Sequence, residues 1–214
     1  MTPSQHPSPE LLIDCAAGSL ETGPALVLAV HLAACPQCRS DTALAEAVGG
    51  ALMSELPAAD LASDALDKAL ARIERPAPPP PRSVPSAAQP DSWIGVPPEV
   101  ALAARRRRWA APGVWVAPIW QGLRGQRSYL LRVGAGMSVP RHTHAGSELV
   151  CVVKGAYVDR GVTHTLADLA ENDDSVEHTP TVTRDGECIC LIAVDNALIA
   201  RDWVGRLFQP FVGI

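Results

Sequence analysis

Two short constellations in this 214-residue chain carry side chains that ligate metals. The first is His31-x3-Cys35-x2-Cys38. Residues four apart share one face of a helix, so His31 and Cys35 project together. Cys38 follows across the turn at Pro36 and can bend back towards them. Two thiolates and an imidazole converging in this way make three corners of a tetrahedral zinc site. A closed structural site needs a fourth ligand. His6 is the foremost candidate, with Cys15 and Asp14 behind it. A bare Cys-x-x-Cys pair also reads as a redox motif or as two buried thiols. The added histidines complete a two-cysteine, two-histidine set and favour zinc.

The second constellation is His142-x-His144-x3-Glu148. Residues two apart in a strand point to one face, and Glu148 opens the next apolar run after a tight Ala-Gly-Ser turn. Two imidazoles and a carboxylate suit zinc, manganese or iron. The bland alternative is a pair of surface histidines beside a hairpin. With Gly136 before it and Gly155 after it, the stretch reads Gly-x5-His-x-His-x3-Glu-x6-Gly. That resembles the first motif of the cupin superfamily at every defined position, which implies a small double-stranded β-helix barrel. Cupins usually add a histidine from a second motif. The layout of 168–178 resembles that motif and offers His178, but it lacks the usual glycine and proline around the turn. His164 competes for the role. It lies in a Gly-Val-Thr-His-Thr turn and is expected to face solvent, whereas a strand would fix the direction of His178.

The elements that must hold these residues fall into two textures. Residues 1–75 are rich in Ala and Leu, which favours helix. Ser8-Pro9 reads as an N-cap and first-turn proline, opening a helix that runs to Gly18. Pro24 opens a second helix from Ala25 to about Ala34, apolar on all sides. Pro36 opens a third, to about Leu56, with Leu44, Val48 and Leu52 at intervals of four. Asp60 is expected to cap a fourth, with Leu61, Ala65, Leu66, Leu70 and Ile73 as its apolar stripe. Four short helices bury too little to be stable alone, and a metal is a common remedy at that size. Residues 76–92 are dominated by proline, which cannot enter a core and acts as a semi-rigid spacer. Residues 93–214 have a β texture, with short strands expected at 115–120, 128–133, 148–153, 156–158 and 188–194. The fold class expected is therefore a small zinc-bound helical bundle followed by a cupin β-barrel. The two are expected to be independent enough for the barrel to survive chelation.

Charge narrows the partners. Of a net −5, residues 1–74 hold ten acidic against three basic side chains, a net −7 that leaves +2 for the remainder. An acidic module is unsuited to phosphate backbones, and the ligand order differs from a DNA-binding finger. No direct DNA binding is expected, and docking on a basic protein surface is. No run approaches the roughly 20 apolar residues of a membrane helix. The first ten residues lack the basic and apolar regions of a signal peptide. The reading is cytoplasmic, in a reducing compartment. The basic run Arg105, Arg106, Arg107 and Arg108 is expected on a solvated strand edge.

His-x3-Cys-x2-Cys in a small acidic helical module resembles the zinc-binding domain of bacterial anti-sigma factors. With the cupin motif and the tail 205–214, the chain resembles the ChrR family of cupin-containing anti-sigma factors. That resemblance implies zinc at both sites, with His31, Cys35 and Cys38 as ligands and His6 as the upstream histidine. It implies that residues 1–75 inhibit an extracytoplasmic-function sigma factor, with the last helix extending against it. It also implies that the cupin domain is needed for release under singlet-oxygen or related oxidative stress. A cupin dioxygenase or hydrolase with an accessory zinc domain is the competing reading. Cys151, Cys188, Cys190, Met137 and the five tryptophans supply oxidisable side chains in residues 93–214. Cys188 and Cys190 should share a strand face, either as a reactive pair or as two small core residues.

Overall fold

The computed structural model describes residues 2–75, 96–123, 125–196 and 199–200. The proline-rich spacer at 76–92 and the tail at 205–214 lie outside the described residues. Helices α1 (Pro9–Ala16), α2 (Thr22–Ala34), α3 (Pro36–Ser54) and α4 (Ala65–Ile73) come first, and a short α5 (Pro98–Ala103) follows. The Ser8 hydroxyl accepts from the Leu11 N–H and caps α1 as its sequence demands. Helix α2 starts at Thr22, three residues before the expected Ala25, because proline is tolerated in a first turn. Helix α4 starts five residues after Asp60. Asp64 stands at its N-cap without a side-chain cap bond, and its Oδ2 pairs instead with Lys68 at 2.8 Å.

Eleven strands follow among the described residues. They are β1 (Arg108–Ala111), β2 (Val114–Gln121), β3 (Arg127–Val133), β4 (His142–Thr143), β5 (Glu148–Lys154) and β6 (Tyr157–Asp159), then β7 (Val162–His164), β8 (Leu169–Asn172), β9 (Thr181–Val182), β10 (Cys188–Val194) and β11 (Ile199–Ala200). An antiparallel sheet in the order β1-β2-β3-β10-β5-β8 faces two smaller ones, β7-β6-β9 and β11-β4. The result is a helical N-terminal region joined to a cupin-like β-sandwich. Arg105 and Arg106 form a 3-10 turn leading into β1, the edge of the large sheet, and Arg108 is exposed there. Gly155 makes possible the turn by which the chain leaves β5 in the large sheet for β6 in a small one. Its φ is +75°, and a Cβ there would collide with the Glu187 carbonyl oxygen.

Strand β10 and the stretch Leu149 to Val153 of β5 are continuously apolar because both of their faces are buried. Leu149, Cys151 and Val153 of β5, with Ile189, Leu191 and Ala193 of β10, face the helices. Val150, Val152, Cys188, Cys190, Ile192 and Val194 face the barrel interior. Helix α2 covers the outer face with Val27, Leu28 and Val30, which explains why it is apolar on all sides. It approaches so closely at Gly23 that a Cβ there would meet the Trp120 ring at 3.2 Å. The helical region and the barrel therefore share one core, closer than two independent modules on a spacer.

Two candidate metal centres

The first cluster gathers His6, His31, Cys35 and Cys38, whose ligand atoms all lie within 4.8 Å of one another. Cys35 ends α2 and its sulfur accepts from the Cys38 N–H at 3.5 Å, folding the start of α3 back over the helix end. His6 arrives on the extended arm before α1 and presents Nδ1 at 3.5 Å from Cys35 Sγ and 3.4 Å from Cys38 Sγ. The His31 ring is fixed from outside the cluster, its Nδ1 hydrogen-bonded to the Ala167 carbonyl at 2.8 Å. Nδ1 is then the donor and Nε2 carries the free lone pair, and Nε2 is buried with no partner. Burial pushes the His31 imidazole down and, with Cys35 beside it, the Cys38 thiol up to about 12. Two thiolates in this space need a cation between them. Cys15 is half-buried and Asp14 bonds Ser19, so neither alternative fourth ligand joins.

The second cluster lies inside the sandwich and gathers His142, His144, Glu148 and His178, all buried. Backbone bonds between His142 and His178 bring the two small sheets together. Nε2 of His178 stands 3.0 Å from Nε2 of His142 and 3.1 Å from that of His144, and His144 Nε2 lies 3.2 Å from Glu148 Oε2. Three imidazole nitrogens converging lone pair to lone pair repel unless a proton or cation lies between them. Burial and the two neighbouring histidines hold His144 down at about 4, and burial raises Glu148 to about 7. Both clusters fit metal ions by donor chemistry.

The supporting partners were not legible in the sequence. His142 Nδ1 bonds the Pro140 carbonyl at 2.7 Å, and Asn172 donates to Glu148 Oε2 at 2.9 Å. His178 Nδ1 stands 2.9 Å from Asp159 Oδ2, a contact that fixes the tautomer and turns Nε2 to the cluster. Asp159→Asn is expected to weaken metal retention at this cluster by roughly 10–100-fold while leaving the first cluster intact. Competition with a chromogenic chelator measures both. His164, expected in solvent, is buried and stacks on Tyr157 with ring centroids 4.7 Å apart; it stays outside the cluster. Cys188 and Cys190 share a face as expected, Sγ to Sγ 3.6 Å, and line the interior. Hydrogen bonding from Cys188 and burial both raise the Cys190 thiol, so it is held protonated and has little of the thiolate character of a reactive cysteine.

The profile of the ChrR cupin-like domain matches residues 99–197. The chain is 35% identical to the anti-sigma-E factor ChrR of Cereibacter sphaeroides over 219 aligned residues, covering the whole of both chains. It belongs to the ChrR family of anti-sigma factors. The crystal structure of Rhodobacter sphaeroides SigE in complex with the anti-sigma ChrR superposes on this ChrR-family chain with a TM-score of 0.75 and 31% identity. The match covers 90% of this chain and all of that one. A cupin protein from Ralstonia eutropha is 24% identical, with a TM-score of 0.42, over 47% of this chain and 70% of that one.

Proposed function

We propose that the chain is an anti-sigma factor whose helical region sequesters an extracytoplasmic-function sigma factor, and whose cupin-like domain is required for release under singlet-oxygen or related oxidative stress. It is a regulatory protein rather than an enzyme, acting in the cytoplasm where a sigma factor meets polymerase. The full-length likeness to a named anti-sigma factor carries this reading. His6, His31, Cys35 and Cys38 hold a structural zinc, as thiolate and imidazole donors favour. His142, His144, Glu148 and His178 hold a second ion, with zinc as the default and manganese or iron as alternatives. The units are residues 1–75, a spacer at 76–92 and residues 93–214. Among the described residues no helix is long and apolar enough to cross a membrane.

The helices supply a docking surface. Leu44, Val48 and Leu52 form an exposed row on α3, and α4 has no buried residue although Leu66, Leu70 and Ile73 line one side of it. A nine-residue helix is marginal by itself, and an apolar face of this extent marks a protein contact. Burying a leucine at such a contact contributes about 1.5–3 kcal/mol. Leu66→Asp in the full chain is therefore expected to weaken sigma-factor binding at least tenfold with an unchanged melting temperature, checked by co-purification and titration. Binding undiminished in both Leu66→Asp and Val48→Asp would remove this surface from the proposal.

A further inference from the structure

The barrel interior holds a cleft of about 310 Å³, open at one side, that the anti-sigma reading does not use. His142, Glu148 and His178 form part of its wall, while His144 stands behind them. The rest is almost wholly apolar, with Leu131, Val150, Val182 and Ile192 among the lining residues. No lysine or arginine lines it among the described residues, and Glu148 is its one acidic group. Its size falls in the range of small-molecule sites, which are mostly apolar with a few convergent polar groups.

The charges specify the occupant's head. A divalent ion with three neutral imidazoles and one carboxylate leaves a net charge of +1. That charge faces an apolar cavity offering no counter-ion, and an uncompensated charge is costly there. A monoanionic oxygen ligand on the cavity side of the ion removes it, and an alkyl chain fills the apolar remainder. Each methylene so buried tightens binding roughly fourfold. Burial holds the Tyr129 and Tyr157 phenols, both lining the cavity, in their neutral form, so neither repels an anion.

We propose that the barrel binds a medium-chain carboxylate, its head on the ion held by His142, His144, Glu148 and His178 and its chain in the cavity. This rests on the reading that the second cluster holds a divalent metal. The test uses the full chain carrying two equivalents of metal, titrated calorimetrically with octanoate, acetate and 1-octanol. Octanoate is expected to bind at least tenfold tighter than acetate, which lacks the chain, and than octanol, which lacks the charge. Leu131→Trp, which fills the cavity, should weaken octanoate at least tenfold with metal content unchanged. Independently of that variant, octanoate should perturb the visible spectrum of the cobalt-substituted protein at concentrations where acetate does not. Octanol binding as tightly as octanoate, or a metal-loaded protein that binds neither, overturns the proposal. A chain that retains only one equivalent of metal, bound at the cysteines, overturns the underlying metal reading instead.

Discussion

In a Cys35→Ser variant, or after chelation, α1 and α3 are expected to lose their packing while α2 stays on the barrel. Helix α1 buries only Leu12, and α3 buries only Cys38 and Thr42. The ligand cluster ties the start of α3, and the arm that leads into α1, to the end of α2, and α1 packs on α3 rather than on the barrel. Structural zinc contributes about 10–16 kcal/mol in small zinc-finger peptides, far more than one leucine and a threonine supply. Without the ion, buried cysteine sulfur and the Nε2 of His31 remain in the interior, and Nε2, with no hydrogen-bond partner, is an uncompensated polar group. Helix α2 is held differently, since Val27, Leu28 and Val30 lie in the core shared with β5 and β10. Hydrogen exchange should therefore show amide protection lost over 9–16 and 36–54 and kept over 22–34 and 188–194. Sigma-factor binding should fall at least 100-fold, because the face of α3 that carries Leu44, Val48 and Leu52 is no longer fixed. Loss of protection in β10 along with α3 would mean that the two regions melt as one unit.

That outcome differs from what composition alone suggests, a helical module that melts whole. The sequence shows α2 as apolar on every side but not what covers it. The cover is a sheet 90–165 residues further on, and local periodicity holds no information about it. The ligands themselves were legible because each set lies in a short pattern whose helix or strand geometry fixes which side chains converge. His6 lies further off and was reached as the fourth ligand that the donor set lacks, whereas His178 was reached through the likeness to a second cupin motif. The partners that orient the ligands, Ala167, Asp159 and Asn172, are ordinary residues brought near by strand pairing, so no spacing marks them. His164 was misplaced for the same reason. Its turn-like neighbours conceal that β7 pairs with β6 and sets His164 opposite Tyr157. At α4, Asp60 and Asp64 both precede apolar residues, and which one begins the helix depends on neighbours more than on either side chain.

Asp168→Ala is expected to loosen the first metal cluster from the barrel side. The Asp168 carboxylate is buried at the start of β8 and accepts from the backbone N–H groups of Ser4 at 2.6 Å, Gln5 at 3.0 Å and Thr165 at 2.7 Å. The Leu169 N–H also donates to the Gln5 carbonyl at 3.2 Å. This clasp holds the arm on which His6 follows directly, and the neighbouring Ala167 carbonyl holds His31. One turn of the barrel thus positions two ligands of the helical site. Hydrogen bonds to a charged acceptor contribute about 1.5–3 kcal/mol each and are not additive. The variant should therefore lose about 3–5 kcal/mol of stability, with protection of the first turn of α1 falling and metal at the cysteines held roughly 10–100-fold less tightly. Burial alone would raise this carboxyl, but the Thr165, Gln5 and Ser4 amides outweigh it and hold it below the usual range. A carboxylate depressed in the folded state stabilises fully above its unfolded value of about 3.9, and that contribution disappears as pH falls through the lower folded value. The stability gap between the native chain and Asp168→Ala should accordingly be constant from pH 7 to about pH 5 and close at more acid pH. Protonation of the metal ligands acts on both proteins, so the difference between their denaturation midpoints isolates the clasp. A gap that stays constant down to about pH 2, or cysteine-bound metal held as tightly in the variant, would show that the arm is fixed by its helix and not by Asp168.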